Sequence, residues 1–240
     1  MDANSIVYNF YQIGPICLRN ECILQLIIMI IENPLFCTLR TEEQLGYYVS
    51  SYIENNSNIL GYTLYVNSQE PKHTAQYVQE RMEAFHLKIQ QHLEDLSLDD
   101  FDNFRKSLIK LKEVKDFSLY DEFSRNWGEI LTEEYFFQRK QKEIICLENL
   151  EKQHIVEFWL ENLNNNLRKL SIQVVGNKQA TDDDNISTST TDNVEDFDSN
   201  LILQFFDYDD STDDMVTIMN INEFKDTLLV HPVIKTIWNE

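Results

Sequence analysis

The feature that most restricts how this chain can fold is an apolar run near its start, Cys22–Ile31, which reads CILQLIIMII. A helix formed by this run is apolar on nearly every side and must be buried over most of its surface. Asn20 is a suitable cap for a helix that begins at Glu21, and Asn33-Pro34 predicts its end, because the residue before proline avoids helical geometry. The run is too short to cross a bilayer, which takes about 20 residues. We therefore expect the other elements to surround a central helix, without membrane insertion.

Strand patterns occur on both sides of this helix. β-branched and aromatic residues predict four strands, at Ser5–Ile13, Tyr47–Ile53, Ile59–Val66 and Leu170–Val175. The two central strands flank the turn-forming residues Glu54–Asn58, and this arrangement predicts an antiparallel hairpin.

Helical patterns fill most of the remaining sequence. Pro71 suits the first turn of a helix that reaches about Leu96, and Ser97 with Asp100 is typical of the start of the next helix. Apolar stripes at spacings of three and four support both, formed by Val78, Met82, Phe85, Ile89 and Leu93 in the first and by Phe101, Phe104, Leu108 and Leu111 in the second. Other helical segments are predicted at Leu35–Leu45, Leu119–Leu131, Glu133–Ile145 and Leu150–Leu163. The element order predicts an α+β fold in which helices cover one face of a small, mostly antiparallel sheet.

A change in composition divides the chain into three parts. Residues 1–176 carry the α+β pattern and are expected to form one domain. The stretch Thr181–Asp214 is rich in Asp, Ser and Thr and contains no Lys or Arg, so we expect an acidic mobile loop over 177–220. The last residues, 221–240, are expected to pack back on the domain.

The net charge limits the classes of partner. The formal charge is -21, whereas nucleic acids and anionic membrane surfaces are bound by clustered Lys and Arg. We therefore expect no nucleic-acid partner. The acidity favours a solvated surface over an attractor of basic substrates, although the second interpretation stays open.

The cysteines indicate the compartment. Cys17, Cys22, Cys37 and Cys146 include no Cys-x-x-Cys pair, so they are predicted to be free and mostly buried thiols in a reducing environment. The first residues lack the basic and apolar segments of a signal peptide. Together these patterns predict a cytoplasmic location.

The sequence lacks the motifs of a self-sufficient hydrolase. An inverted-type zinc peptidase needs His-x-x-Glu-His on a helix, and none of the five histidines belongs to such a motif. His86 and His92 share a predicted helix but lie six residues apart, so they face different directions and are expected at exposed polar positions. No Gly-x-Ser-x-Gly elbow or Gly-rich phosphate loop is present. We predict no metal site and no catalytic residue that acts alone.

One segment, Asn33–Val49, combines a proline, an arginine and a glycine–tyrosine pair where a helix gives way to a strand. Arg40 offers a fixed fork of donors for a carbonyl or a carboxylate. Tyr47 places a phenol at the start of a strand, and both side chains suit the stabilisation of a developing oxyanion. The alternative is an intramolecular Arg–Glu pair beside a packed tyrosine.

Within this segment, Leu39–Tyr47 resembles the Leu-Arg-Thr-x-Glu-Gln-Leu-Gly-Tyr stretch of the insulysin/nardilysin family, zinc peptidases of the pitrilysin type. Arg81–Phe85 is similar to the family's Arg-Val-Glu-Ala-Phe, and Trp127–Ile130 to its Tyr-Trp-Gly-Glu-Ile. The resemblance covers about residues 5–175 and 221–240. The hairpin tip Glu54–Asn58 departs from the family's basic, glycine-containing tip.

The resemblance implies a role in a larger enzyme. Family members have four similar α+β domains in two halves, of which the amino-terminal half carries the zinc. This chain would belong to the carboxy-terminal half, which closes the chamber over a peptide, and it would bind no zinc itself. Arg40 and Tyr47 would contact the substrate near the zinc, and the partners would be the catalytic half and peptide substrates. A stand-alone inactive domain that pairs with a peptidase half or binds peptides remains the alternative.

Overall fold

The computed structural model describes residues 4–69, 72–165 and 167–176. The predicted loop at 177–220 and the predicted terminal segment at 221–240 lie outside the described residues. The described part contains β1 (Asn4–Pro15), α1 (Leu18–Leu35), a π-helical segment (Phe36–Glu42), β2 (Tyr48–Asn56), β3 (Ile59–Gln69), α2 (Ala75–Asp95), α3 (Leu98–Glu113), α4 (Leu119–Leu131), α5 (Arg139–Glu148), α6 (Lys152–Trp159), a second π-helical segment (Leu160–Asn164) and β4 (Arg168–Val174).

The strands form one antiparallel sheet in the order β2-β3-β1-β4. The predicted hairpin is confirmed, but its turn is shorter than expected, because the strands pair as far as Asn56 and Ile59. Ser57 and Asn58 make the turn with φ of 52° and 66°, values that match the twist of the flanking strands. The α+β fold predicted from the element order is confirmed.

Helices cover one face of the sheet, as predicted. Alternate residues of β3 on this face, from Leu60 to Val66, are fully buried against the helices. On β1 the buried set includes Val7 and Tyr11. The other face carries exposed apolar residues of β4, including Ile172. The core therefore lies between the sheet and α1, α2 and α6.

The bounds of α1 correct the prediction at both ends. The helix begins at Leu18 with Cys17 in extended geometry before it, and it contains Pro34 instead of ending there. It runs on into the π-helical segment Phe36–Glu42, in which the Glu43 N–H donates to a carbonyl five residues earlier at 2.9 Å. Burial of the apolar side chains on both sides of the proline outweighs the local preference against helix.

The continuous helix is therefore longer than the apolar run suggested. Leu18–Glu42 spans 25 residues, contains an 18-residue window with a mean hydropathy of 1.9 and, among the described residues, is long and apolar enough to cross a membrane. Half of this apolar window is buried inside the protein, as in the core helix of a packed domain. Burial in the core accounts for the composition.

The long helices α2 and α3 agree with the prediction except at the start of α2 and at one residue of α3. Thr74 caps α2, which thus begins at Ala75 and later than the predicted start at Pro71. Its predicted stripe is buried throughout. Ser97 caps α3 as predicted and accepts the Asp100 N–H at 3.0 Å, but Leu111 is exposed and does not belong to the buried stripe.

The expectation that His86 is exposed is wrong. The Tyr62 hydroxyl hydrogen-bonds to its Nδ1, and its Nε2 lies 3.0 Å from the Leu163 carbonyl oxygen. The imidazole also stacks on Tyr11 at 4.3 Å between ring centroids. These partners come from β1, β3 and the segment after α6, so helical periodicity alone could not reveal them.

We expect His86 to make the protein sensitive to acid. Burial lowers the pKa of this histidine below its usual value. Between that lowered pKa and about 6.5, the unfolded chain therefore binds a proton that the folded protein excludes, and stability falls as pH decreases. The free energy of unfolding should drop by about 1 kcal/mol for each pH unit in this window.

Urea unfolding at pH 7.5 and 5.5 measures this loss. The His86→Gln variant should lose less stability than the native protein over this interval, whereas His92→Gln, at an exposed position of the same helix, should behave like the native protein. An equal loss in all three proteins would assign the acid sensitivity to other groups.

Candidate functional site

Two buried leucines hold the segment Leu39–Tyr47 in place. Leu39 and Leu45 are both almost fully buried, and the Leu45 N–H donates to the Leu39 carbonyl at 2.9 Å. The Ser68 hydroxyl on β3 donates to the Leu45 carbonyl at 2.6 Å. The segment between the leucines is thus attached to the core at each end.

Backbone geometry brings the end of this segment against β3. Gln44 has φ of 54°, which turns the chain, and the Tyr47 N–H then donates to the Asn67 carbonyl at 3.0 Å. A Cβ atom on Gly46 would lie 2.1 Å from the same Asn67 oxygen, so this position has no room for a side chain. Glycine is needed here for close approach of two backbones.

An ion pair links the segment to α2. The Arg81 guanidinium donates to the two carboxylate oxygens of Glu43 at 2.8 and 2.6 Å. These hydrogen bonds raise the pKa of Arg81 above its already high usual value. The bidentate geometry fixes the orientation of both side chains. The two stretches that most resemble the family, Leu39–Tyr47 and Arg81–Phe85, are therefore in direct contact.

Arg40 and Tyr47 lie side by side at the surface. The Arg40 Cζ atom is 5.3 Å from the centroid of the Tyr47 ring and 4.9 Å from that of Phe36, so the guanidinium lies against two aromatic rings. The Tyr47 side chain is 85% exposed. Within the described residues, no hydrogen bond or ion pair engages the Arg40 guanidinium.

The alternative of an Arg–Glu pair with a packed tyrosine does not describe this site. Glu43, three residues after Arg40, is paired with Arg81, and no ion pair joins Arg40 to Glu42 or Glu43 in the part of the chain that the structure describes. The guanidinium fork and the phenol are instead adjacent; the phenol is exposed and Arg40 is half-buried. Such a pair of donors can bind a carbonyl or carboxylate and stabilise negative charge that develops on an oxygen.

Sequence reasoning missed two supporting residues. Phe36 supports Arg40 from one turn earlier, and the spacing of four residues within a helical pattern could have suggested the contact. Arg81 engages the segment from α2, 38 residues further along the chain, and no local pattern reports such a pairing.

The residues that the structure describes do not fit a zinc site. In the ranges 4–69, 72–165 and 167–176, no group of three or more His, Cys, Asp or Glu side chains is placed to hold a metal ion. The full sequence also lacks His-x-x-Glu-His. We therefore derive no chemical step through zinc bound to this chain.

Comparison with known proteins assigns the family. The family model described as PQQ synthase PqqF-like, C-terminal lobe domain 4, matches residues 26–127, which include the whole candidate site around Arg40 and Tyr47. Nardilysin from Rattus norvegicus is 37% identical over 175 residues, which make up 73% of this chain and 15% of that protein. Insulin-degrading enzyme from Homo sapiens is 33% identical over 154 residues, or 64% of this chain and 15% of that enzyme. The chain belongs to the insulysin/nardilysin-type family.

Its match is to the carboxy-terminal part of these zinc peptidases, and the chain spans about 15% of the length of the curated relatives. The fold agrees with this assignment. The crystal structure of pitrilysin superimposes with a TM-score of 0.62 at 19% identity, covering 72% of this chain and 18% of that one. This insulysin/nardilysin-type domain therefore has the α+β architecture of the pitrilysin group.

Proposed function

We propose that this domain acts as the carboxy-terminal part of a zinc endopeptidase of the insulysin/nardilysin type. It helps to close the chamber that holds a peptide, and it presents Arg40 and Tyr47 to that peptide at a zinc site carried by the catalytic amino-terminal half. One observation carries the proposal: the Arg40 guanidinium lies beside the exposed phenol of Tyr47. Among the described residues, this guanidinium has no acidic partner.

The two side chains have complementary tasks. The planar fork of Arg40 donates to a peptide carbonyl or a carboxylate and so orients the substrate. The Tyr47 hydroxyl donates to the carbonyl oxygen as negative charge develops on it. Because Leu39, Leu45 and Gly46 hold the backbone in place, little reorganisation accompanies binding.

A second surface supports an assembly with the rest of the peptidase. The α4 face and its approach expose large apolar side chains between 45% and 92%, namely Phe117, Leu119, Tyr120, Phe123, Trp127 and Leu131. Glu129 is the one buried residue of α4 and accepts hydrogen bonds from Arg139, the shorter at 2.6 Å. Contiguous apolar patches of this kind usually mark an interface with another protein or domain. We propose that the catalytic half covers this face.

Mixing the purified chain with a separately expressed catalytic half tests the proposal. We expect the chain alone to be inactive towards a fluorogenic peptide, and the mixture to turn the peptide over faster than the catalytic half alone. Zinc-dependent activity of the chain alone, sensitive to a chelator and retained after repurification, would contradict the division of roles. Binding without any gain in turnover would favour the alternative of an inactive interaction domain.

The Phe123→Glu variant tests the docking face. We expect at least about a tenfold weaker association with the catalytic half, because a charge would replace an apolar contact worth about 1.5–3 kcal/mol. Titration calorimetry measures the affinity, and circular dichroism checks that the fold is retained. Leu87→Glu is the matched control, since Leu87 is an exposed apolar residue of α2 and does not belong to α4. Equal affinities of the two variants would remove α4 from the interface.

A further inference from the structure

We propose that Cys22 and Cys146 form a reversible oxidation site, at which a hydroperoxide converts the two thiols into a disulfide that links α1 to α5. The proposal concerns residues outside the Arg40–Tyr47 site and does not depend on the proposed peptidase role.

The two thiols meet where α1 packs on α5. The Cys22 Sγ lies 3.9 Å from the carbonyl oxygen of Glu143, which precedes Cys146 by one turn of α5. Cys146 is partly buried and packs against the core cluster that contains Cys22. The two cysteines therefore lie close to the same contact between α1 and α5.

Polar contacts on the same helix faces hold this arrangement. The Gln25 amide donates to the Glu143 carboxylate at 3.4 Å, and Arg139 of α5 pairs with Glu21 of α1 at 3.2 Å. Lys112 of α3 pairs with the other Glu143 oxygen at 3.0 Å. These contacts surround the thiols and limit the separation of the two helices.

The two cysteines differ in access and reactivity. Cys22 is fully buried, whereas Cys146 is half-buried and can be reached by a small oxidant. Interaction with the Cys22 side chain lowers the pKa of Cys146, and the charge of Arg19 acts in the same direction. A lowered pKa raises the share of Cys146 that is thiolate at neutral pH, and the thiolate is the form that reacts with peroxides. These properties assign Cys146 as the attacking thiol and Cys22 as the resolving one.

The chemistry balances with a hydroperoxide as the oxidant. The Cys146 thiolate attacks the peroxide, an S–O bond forms, the O–O bond breaks, and the leaving oxygen takes a proton to become an alcohol or water. The Cys22 thiol then attacks the Cys146 sulfur while losing its proton, so that an S–S bond forms and water leaves. The two cysteines are oxidised by two electrons in total, and the peroxide is reduced. A dithiol reverses the reaction by exchange.

The sequence supplies its own controls. Cys17 and Cys37 are both exposed and have no thiol partner among the residues that the structure describes. A non-specific oxidation would therefore modify these two first. Oxidation at the proposed site instead links the two less exposed cysteines.

Peptide mapping under non-reducing conditions tests the proposal. The native chain is treated with hydrogen peroxide, denatured and alkylated. We expect a Cys22–Cys146 linked peptide pair, loss of two hydrogen atoms from the intact mass, and a melting temperature several degrees higher that dithiothreitol reverses. In the Cys22→Ser variant, Cys146 should instead accumulate as a sulfenic acid that dimedone traps.

Other outcomes overturn the proposal. Free Cys22 after oxidation of Cys146 in the native chain would show that the thiols do not join. Disulfides that involve Cys17 or Cys37 in place of Cys22 or Cys146 would show that exposure, and not the helix contact, controls oxidation.

Discussion

Replacing Gly46 with alanine is expected to destabilise the protein by about 3 kcal/mol, at the upper end of the cost of overpacking. The new Cβ would lie 2.1 Å from the Asn67 carbonyl oxygen and 2.8 Å from its carbon, both backbone atoms of β3. A backbone strand paired on both sides cannot move aside as a flexible side chain can. The substitution should also break the hydrogen bond from the Tyr47 N–H to Asn67.

Urea unfolding of Gly46→Ala measures the loss, and Gly128→Ala provides the matched control. Gly128 lies within α4, and a Cβ there would meet nothing within 4 Å. Alanine is a better helix former than glycine by up to about 1 kcal/mol, so this variant should be slightly more stable. If Gly46→Ala unfolded at the native urea concentration, the close approach of the two backbones would be wrong.

The fold was predictable where local pattern and tertiary structure agree. The β-branched and aromatic runs that predicted β2 and β3 form paired strands, and the apolar stripe of α2 is buried against the core. The prediction failed where packing overrides local preference, as at Pro34, which stays within a helix because its neighbours are buried. It also failed at His86, whose burial depends on Tyr62 and Leu163 from distant elements.

The candidate site was predictable in part. The residue types of Arg40 and Tyr47 indicated donor chemistry, and the family resemblance suggested that they act together. Their actual proximity depends on the turn at Gln44 and on the contact of Gly46 with β3, neither of which has a periodic pattern. Glu43, one possible partner of Arg40, is instead held by Arg81, a long-range pairing that no sequence spacing reports.

Tyr47→Phe, in the enzyme assembled with a catalytic half, is expected to lower kcat about 100-fold and to change KM little. The prediction rests on the proposed function. Phenylalanine keeps the ring beside Arg40, so the contact between the guanidinium and the ring survives and only the hydroxyl donor is lost. A donor that acts mainly on the developing oxyanion contributes to the transition state and much less to substrate binding.

Tyr48→Phe is the matched control for the loss of a hydroxyl. This neighbouring tyrosine is also exposed, but its ring packs edge-on against Tyr65 on the sheet and does not contact Arg40. Steady-state kinetics of the two variants in the same assembly separates the roles of the two phenols. Equal kcat for Tyr47→Phe and the native assembly would leave substrate orientation by Arg40 as the remaining role of the site. A higher KM at unchanged kcat would instead place the Tyr47 hydroxyl in ground-state binding, because such a change removes an interaction that substrate and transition state share equally.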